Sequence, residues 1–144
     1  MNPNLDVLEK AIYTASAILA DMEMRAFHDE RFSELSVRQM LYLNTIIQME
    51  HPTFSDLAKE LNVSKPSVTA NVTRLIRKGY VKKVQDHEDL RTYHIVITPK
   101  ADDFNDLHQS IHKNFTDQLT AKLDPEEIDQ LANLLSKALQ GIKE

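Results

Sequence analysis

The chain has 144 residues, 42% of them hydrophobic, a formal net charge of −5 and no cysteine. That length suits one ordinary domain with a real core, part of which can lie between subunits. The lack of cysteine excludes structural disulfides, thiolate metal sites and thiol redox switches. The N-terminal MNPNLDVLEK has no basic region followed by an apolar block, and no run approaches the roughly 18 apolar residues of a membrane span. The expectation is a soluble, cytoplasmic protein with no membrane partner.

In chain order, Leu5, Leu8, Ile12, Ala15, Leu19, Met22 and Ala26 follow a 3, 4, 3, 4, 3, 4 spacing, which predicts one long amphipathic helix. Ser36-Val37-Arg38-Gln39 is a capping-box signature that opens a second helix running to about Met49. Ser55 to Leu61 reads as a short helix with Leu57 and Leu61 one turn apart. Asn62-Val63-Ser64 is then a tight connection, and Pro66 leads into the next helix, giving helix-turn-helix spacing.

The stretch from Ser64, SKPSVTANVTRLIRKGYVKKVQ, holds six lysines or arginines and no carboxylate, so the other 122 residues carry −11. Solvation alone gives no reason to gather positive charge in this way. At roughly 100° per residue, Val68, Val72, Leu75 and Ile76 fall on one side of the helix. Ser67, Ala70, Thr73, Arg74 and Arg77 fall on the other, flanked by Thr69 and Asn71, with Lys65 at the start. Small and hydrogen-bonding side chains come first and cations last, which suits a helix in a major groove whose early residues approach base edges while later ones reach phosphates. A merely solvated helix would mix in Glu or Asp.

Gly79 ends this helix, and two β-rich segments follow, Tyr80–Val84 with Lys82 and Thr92–Thr98, separated by the polar, turn-prone 85–91. This predicts a β-hairpin wing with Arg91 near its tip, a candidate for a narrow minor groove. Beyond it, Phe104, Leu107, Ile111, Phe115 and Leu119 mark a helix from Ala101 to about Ala121. Asp124-Pro125-Glu126-Glu127 then caps a last helix whose stripe is Ile128, Leu131, Leu135, Ala138 and Ile142.

These residues carry a resemblance. Leu57-Ala58-Lys59-Glu60-Leu61-Asn62-Val63-Ser64, Val68-Thr69 through Leu75, Lys78-Gly79-Tyr80-Val81 and the wing pattern Asp86-x-x-Asp89-x-Arg91 running into Ile97-Thr98 resemble the MarR family of winged helix-turn-helix regulators. The resemblance covers nearly the whole chain, with His87 where proline is frequent and Ala101 where glycine often opens the next helix. It implies a mainly α fold with a small β-hairpin: dimerisation helices in 1–34 and 99–144, and a DNA-binding lobe in 36–98. It further implies a homodimer on a pseudo-palindromic double-stranded DNA operator, acting as a ligand-responsive repressor. The wing arginine role falls on Arg91, and the role of orienting it on Asp86 or Asp89. Terminal apolar stripes that a compact winged helix cannot cover also argue for a second copy of the chain.

The resemblance implies a small-molecule effector, often an aromatic or amphipathic acid, bound where the dimer helices meet the DNA-binding lobe. Tyr13, Met22, Phe27, Met40, Tyr42 and Phe104 are the candidate lining, although such residues at helical spacing are more often plain core. His108 and His112 stand at i, i+4, a distance that can share a metal ion. Zinc-responsive relatives add a carboxylate from the first helix, a place that falls on Glu23. The further histidine of those relatives is missing, and the reading taken is a polar pair without metal; no cofactor is expected. An enzyme is not expected, because two glycines give no phosphate-cradling loop and there is no cysteine nucleophile. The alternative to DNA binding is a winged helix that serves as a protein interaction module, which requires neither an acid-free helix nor Arg91.

Overall fold

In the computed structural model, which describes residues 2–142, six α-helices and one two-stranded hairpin follow in the expected order. They are α1 (Asn4–Phe27), α2 (Val37–Met49), α3 (Phe54–Leu61), α4 (Lys65–Arg77), β1 (Val81–Gln85), β2 (Tyr93–Ile97), α5 (Asp102–Thr120) and α6 (Pro125–Gln140). Short 3-10 turns lie at Glu30–Phe32 and Pro99–Ala101.

Local sequence sets most boundaries. Ser36 and Gln39 form the expected capping box at α2, and Asp124 and Glu127 form the one at α6. A third box, Thr53 with Asp56, starts α3 at Phe54, one residue before the expected Ser55. Asn62, with φ 51° and ψ 51°, closes α3 in the left-handed region, where its amide N–H reaches Lys59 O and that of Val63 reaches Ala58 O. Gly79 repeats the device at φ 84° after α4: Gly79 N–H bonds Ile76 O and Tyr80 N–H bonds Leu75 O. Both ends are Schellman motifs, which stop a helix and reverse the chain within two residues. The last helix stops at Gln140, short of Ile142, which is exposed.

The hairpin pairs antiparallel with Val81 opposite Ile97 and Gln85 opposite Tyr93. Ile95 N–H donates to Pro52 O, and a bridge joins Thr53 to His94, so the hairpin is docked on the segment between α2 and α3. The core beneath is built from Leu43 and Ile46 of α2, Leu57 of α3, Val68, Val72 and Leu75 of α4, and Tyr80, Val81 and Ile95 of the hairpin. It continues through Phe32, Leu35 and Met40 to Ala101 and Phe104, where the Phe32 and Phe104 rings meet edge to face at 5.4 Å.

The terminal helices are covered far less. Helix α1 packs along α5, yet neither α1 nor α6 has a single buried residue, and Leu5, Leu8 and Ile12 are each more than half exposed.

Candidate nucleic-acid interface

Helix α4 owes its presentation to its buried side. Val68, Val72 and Leu75 are fully buried against α2 and α3, and Ser64 caps the start by accepting the Ser67 N–H at 3.2 Å. The opposite side is thereby turned to solvent: Lys65, Thr69, Ala70, Arg74 and Arg77 are exposed, while Ser67 and Thr73 are half-buried. The Ser67 hydroxyl lies 3.2 Å from the hydroxyl of buried Tyr42, which fixes one of the residues expected near base edges. Lys82 on β1 and Arg91 on the wing are exposed as well. Among the described residues, none of Lys65, Arg74, Arg77, Lys82 and Arg91 forms an ion pair, so these cations stand free of internal carboxylate partners.

Asn71 is a correction. It is only 4% exposed, and its Nδ2 donates to Ser67 O at 2.9 Å, so its amide braces the helix rather than facing outward. It lies three residues after Val68 and four before Leu75, hence on the apolar stripe.

The wing aspartates also act differently from expectation. Asp86 accepts the Glu88 and Asp89 N–H groups, both at 2.9 Å, through Oδ1. Asp89 accepts the Arg91 N–H at 3.0 Å and the Thr92 hydroxyl at 3.1 Å. Both carboxylates therefore shape the loop backbone that carries Arg91, and among the described residues none pairs with its guanidinium. The second Asp86 oxygen takes His94 Nε2 at 2.7 Å, while His94 Nδ1 meets His51 O at 2.9 Å. Two acceptors face both ring nitrogens, an arrangement that only imidazolium satisfies in full. The Asp86 hydrogen bond and then the His51 carbonyl raise the His94 pKa above its ordinary value. The Asp89 N–H, then His94, then the Glu88 N–H lower Asp86 to about 2. This clamp was not foreseen, because its third member, His51, lies 43 residues from His94. His51 and Glu50 turn the chain there with φ of 55° and 51°.

A second unforeseen cluster ties the end of α4 to the start of α5. Glu34 Oε1 accepts the Tyr80 hydroxyl at 2.6 Å and pairs with Lys100 Nζ at 3.0 Å. Lys100 also donates to Lys78 O at 2.6 Å and sits 4.6 Å over the Tyr80 ring, and Lys78 donates to Glu34 O and to Gln39 Oε1. The Tyr80 hydroxyl, followed by Lys100, holds the Glu34 carboxyl below its ordinary range, while burial and then Glu34 push Tyr80 up.

Between α1, α2 and α5 lies a cavity of about 300 Å³. Phe27, Met40 and Phe104 are among its lining, together with Glu23, Asn44 and His108. Three expected lining residues do not. Tyr13 is 75% exposed near the middle of α1, half-buried Met22 lies outside the lining, and Tyr42 is core, held at Ser67. His108 and His112 stack edge to face at 4.9 Å. Burial, and then His112, lower the His108 pKa against an opposing pull from Glu23. Among the described residues, no three His, Asp or Glu side chains gather closely enough to hold a metal ion.

Comparison with known proteins gives this geometry relatives. The MarR family model matches residues 35–93, the stretch from α2 to the second wing strand. The chain is 27% identical over 84 residues to the HTH-type transcriptional regulator BilQ of Clostridioides difficile, covering 53% of this chain and 57% of BilQ. It is 27% identical over 106 residues to YkoM of Bacillus subtilis, an uncharacterized HTH-type transcriptional regulator, covering 74% of this chain and 66% of YkoM. The chain thus spans less than two thirds of the length of either relative. The crystal structure of Streptococcus pneumoniae FabT in complex with DNA superposes with a TM-score of 0.71 at 26% identity, covering 96% of each chain. The helix-turn-helix and wing thus match the MarR family model, and the likeness of fold to FabT extends over the terminal helices.

Proposed function

We propose that the chain is a sequence-specific transcription regulator that binds double-stranded DNA as a homodimer, and that it acts as a repressor released by a small-molecule effector in the cytoplasm. The observation that carries this reading is the exposed, carboxylate-free face of α4 standing beside a wing that holds Arg91 outward. A groove reader needs both parts: cations free of internal partners for phosphates, and short polar side chains on the same face for base edges.

Residues 36–98 serve as the DNA-binding lobe, and 1–34 with 99–144 as the dimer-forming helices. The uncovered apolar side chains of α1 and α6 support that division, since a second copy buries both sets under one two-fold axis. Two copies of α4 then meet successive major grooves, about 34 Å apart on a pseudo-palindromic operator. FabT was solved in complex with DNA, which favours the same mode here. The effector reading draws on the cavity between α1, α2 and α5, which lies beside the junction of the two regions.

Selection of bound duplexes from a random pool, followed by fluorescence-anisotropy titration across salt, tests the proposal. The expected result is a palindromic motif with half-sites one helical turn apart and binding that weakens steeply with salt. Recovery of no motif, or equally tight binding to every duplex, would overturn it.

A further inference from the structure

We propose that the cavity between α1, α2 and α5 binds an apolar molecule bearing a positively charged nitrogen, rather than the aromatic or amphipathic acid that the family resemblance suggests. The assignment rests on the effector-responsive reading above and concerns the chemistry of that same site. Among the polar side chains of the lining, Glu23, Asn44 and His108, the charged one is an anion. The half-buried carboxylate of Glu23 stands on the α1 side, and no lysine or arginine contributes to the lining. His108, from α5, is biased toward its neutral form by burial and by His112, so it brings no compensating positive charge.

An acid entering here would leave water to face Glu23 with no cation beside it, so both desolvation and like-charge repulsion oppose it. A cation reverses both signs. It meets a carboxylate, and the rings of Phe27 and Phe104 in the lining attract positive charge as well. The remaining wall, with Met40 and Ile111, is apolar and adaptable, which suits a hydrocarbon or aromatic body. A volume of about 300 Å³ limits that body to a small one, at the low end of the roughly 300–1,000 Å³ span of ligand pockets. The wider electrostatics agree, since residues 1–34 and 99–144 each carry a formal −4 and draw cations toward the terminal helices.

Calorimetric titration of the full chain with three probes of one shape decides the matter: 1-naphthylmethylammonium, 1-naphthoate and neutral 1-naphthalenemethanol. The expected order has the ammonium binding at least tenfold tighter than the naphthoate, with the alcohol between them. Glu23→Gln is expected to weaken the ammonium at least fivefold while leaving the alcohol unchanged, so that loss of charge is separated from loss of the cavity. Naphthoate binding as tightly as the ammonium would overturn the assignment, as would Glu23→Gln leaving the ammonium's Kd unaltered. Should that variant fail to fold, as judged by its circular dichroism, the order of the three probes on the unaltered chain decides alone. No DNA enters these titrations, so their failure leaves the DNA-binding proposal intact, and failure to bind duplex leaves the probe order intact.

Discussion

Arg91 stands exposed on the wing, its N–H held by Asp89 and its guanidinium apart from every described carboxylate. If it enters a minor groove, its contribution follows groove width. Arg91→Ala should cost about 1–3 kcal/mol per half-site on operators with A·T-rich flanks and much less on G·C-rich ones, as read by anisotropy on paired duplexes. Arg91→Lys should rescue only in part, because an ammonium is more strongly hydrated than a guanidinium. Arg74→Ala or Arg77→Ala should instead weaken all duplexes alike and lower the salt slope by about one per half-site. Asn71→Ala belongs to another class: losing its hydrogen bond to Ser67 O should reduce folding stability by about 1 kcal/mol in urea melts without changing which duplexes are preferred. Its burial was legible from position, three after Val68, but its polar identity argued the other way. For Lys65, Thr69, Ala70, Arg74 and Arg77, identity and position agreed, and all five are exposed.

At the scale of elements, the wing is fastened by charge as well as by strand pairing. His94 is raised by Asp86 and the His51 carbonyl, so its contribution is complete below its ordinary pKa of 6.5 and fades as pH rises through the higher folded value. Asp86 is depressed from 3.8 to about 2, so its share is complete above 3.8 and fades as pH falls from there through about 2. The clamp is therefore whole from mildly acidic pH up to the His94 transition. Operator affinity should decline as pH rises through that transition, and His94→Gln should flatten the decline in anisotropy titrations at fixed salt. A decline of equal size in both proteins would leave His94 without this role. Helices and hairpin were readable because their signals are local: capping boxes, Gly79, and alternating β-branched residues. The clamp and the Glu34 cluster were not, since His51 with His94 and Glu34 with Tyr80 meet only after α2, α3 and α4 have packed.

For the molecule as a whole, the unburied stripes of α1 and α6 make assembly the condition of a complete core. Deleting 1–28 or 124–144 should abolish the dimer in sedimentation and, with it, tight operator binding; a truncated chain that remains dimeric would remove this account. In the intact protein, Tm should rise with concentration, because association is linked to folding. The stripe spacing made these helices visible in the sequence. It also signalled that a compact winged helix cannot cover them, but not which side chains stay exposed, because periodicity reports an apolar face and not the surface that meets it.

The Glu34 cluster has a mechanical consequence. Tyr80 follows α4 by three residues, Lys100 precedes α5 by two, and one carboxylate holds both. Helix α4 and the root of α5 are thereby yoked, so if a guest in the cavity displaced Phe104, the shift would be carried into the pose of α4 as a rigid turn. A rigid turn leaves each helix's own side chains in place and alters only the distance between the two copies. Release by such a guest would then be a property of paired half-sites: an isolated half-site, bound weakly, should ignore the guest, and a full operator should be sensitive in proportion to how far its spacing departs from the one the guest imposes.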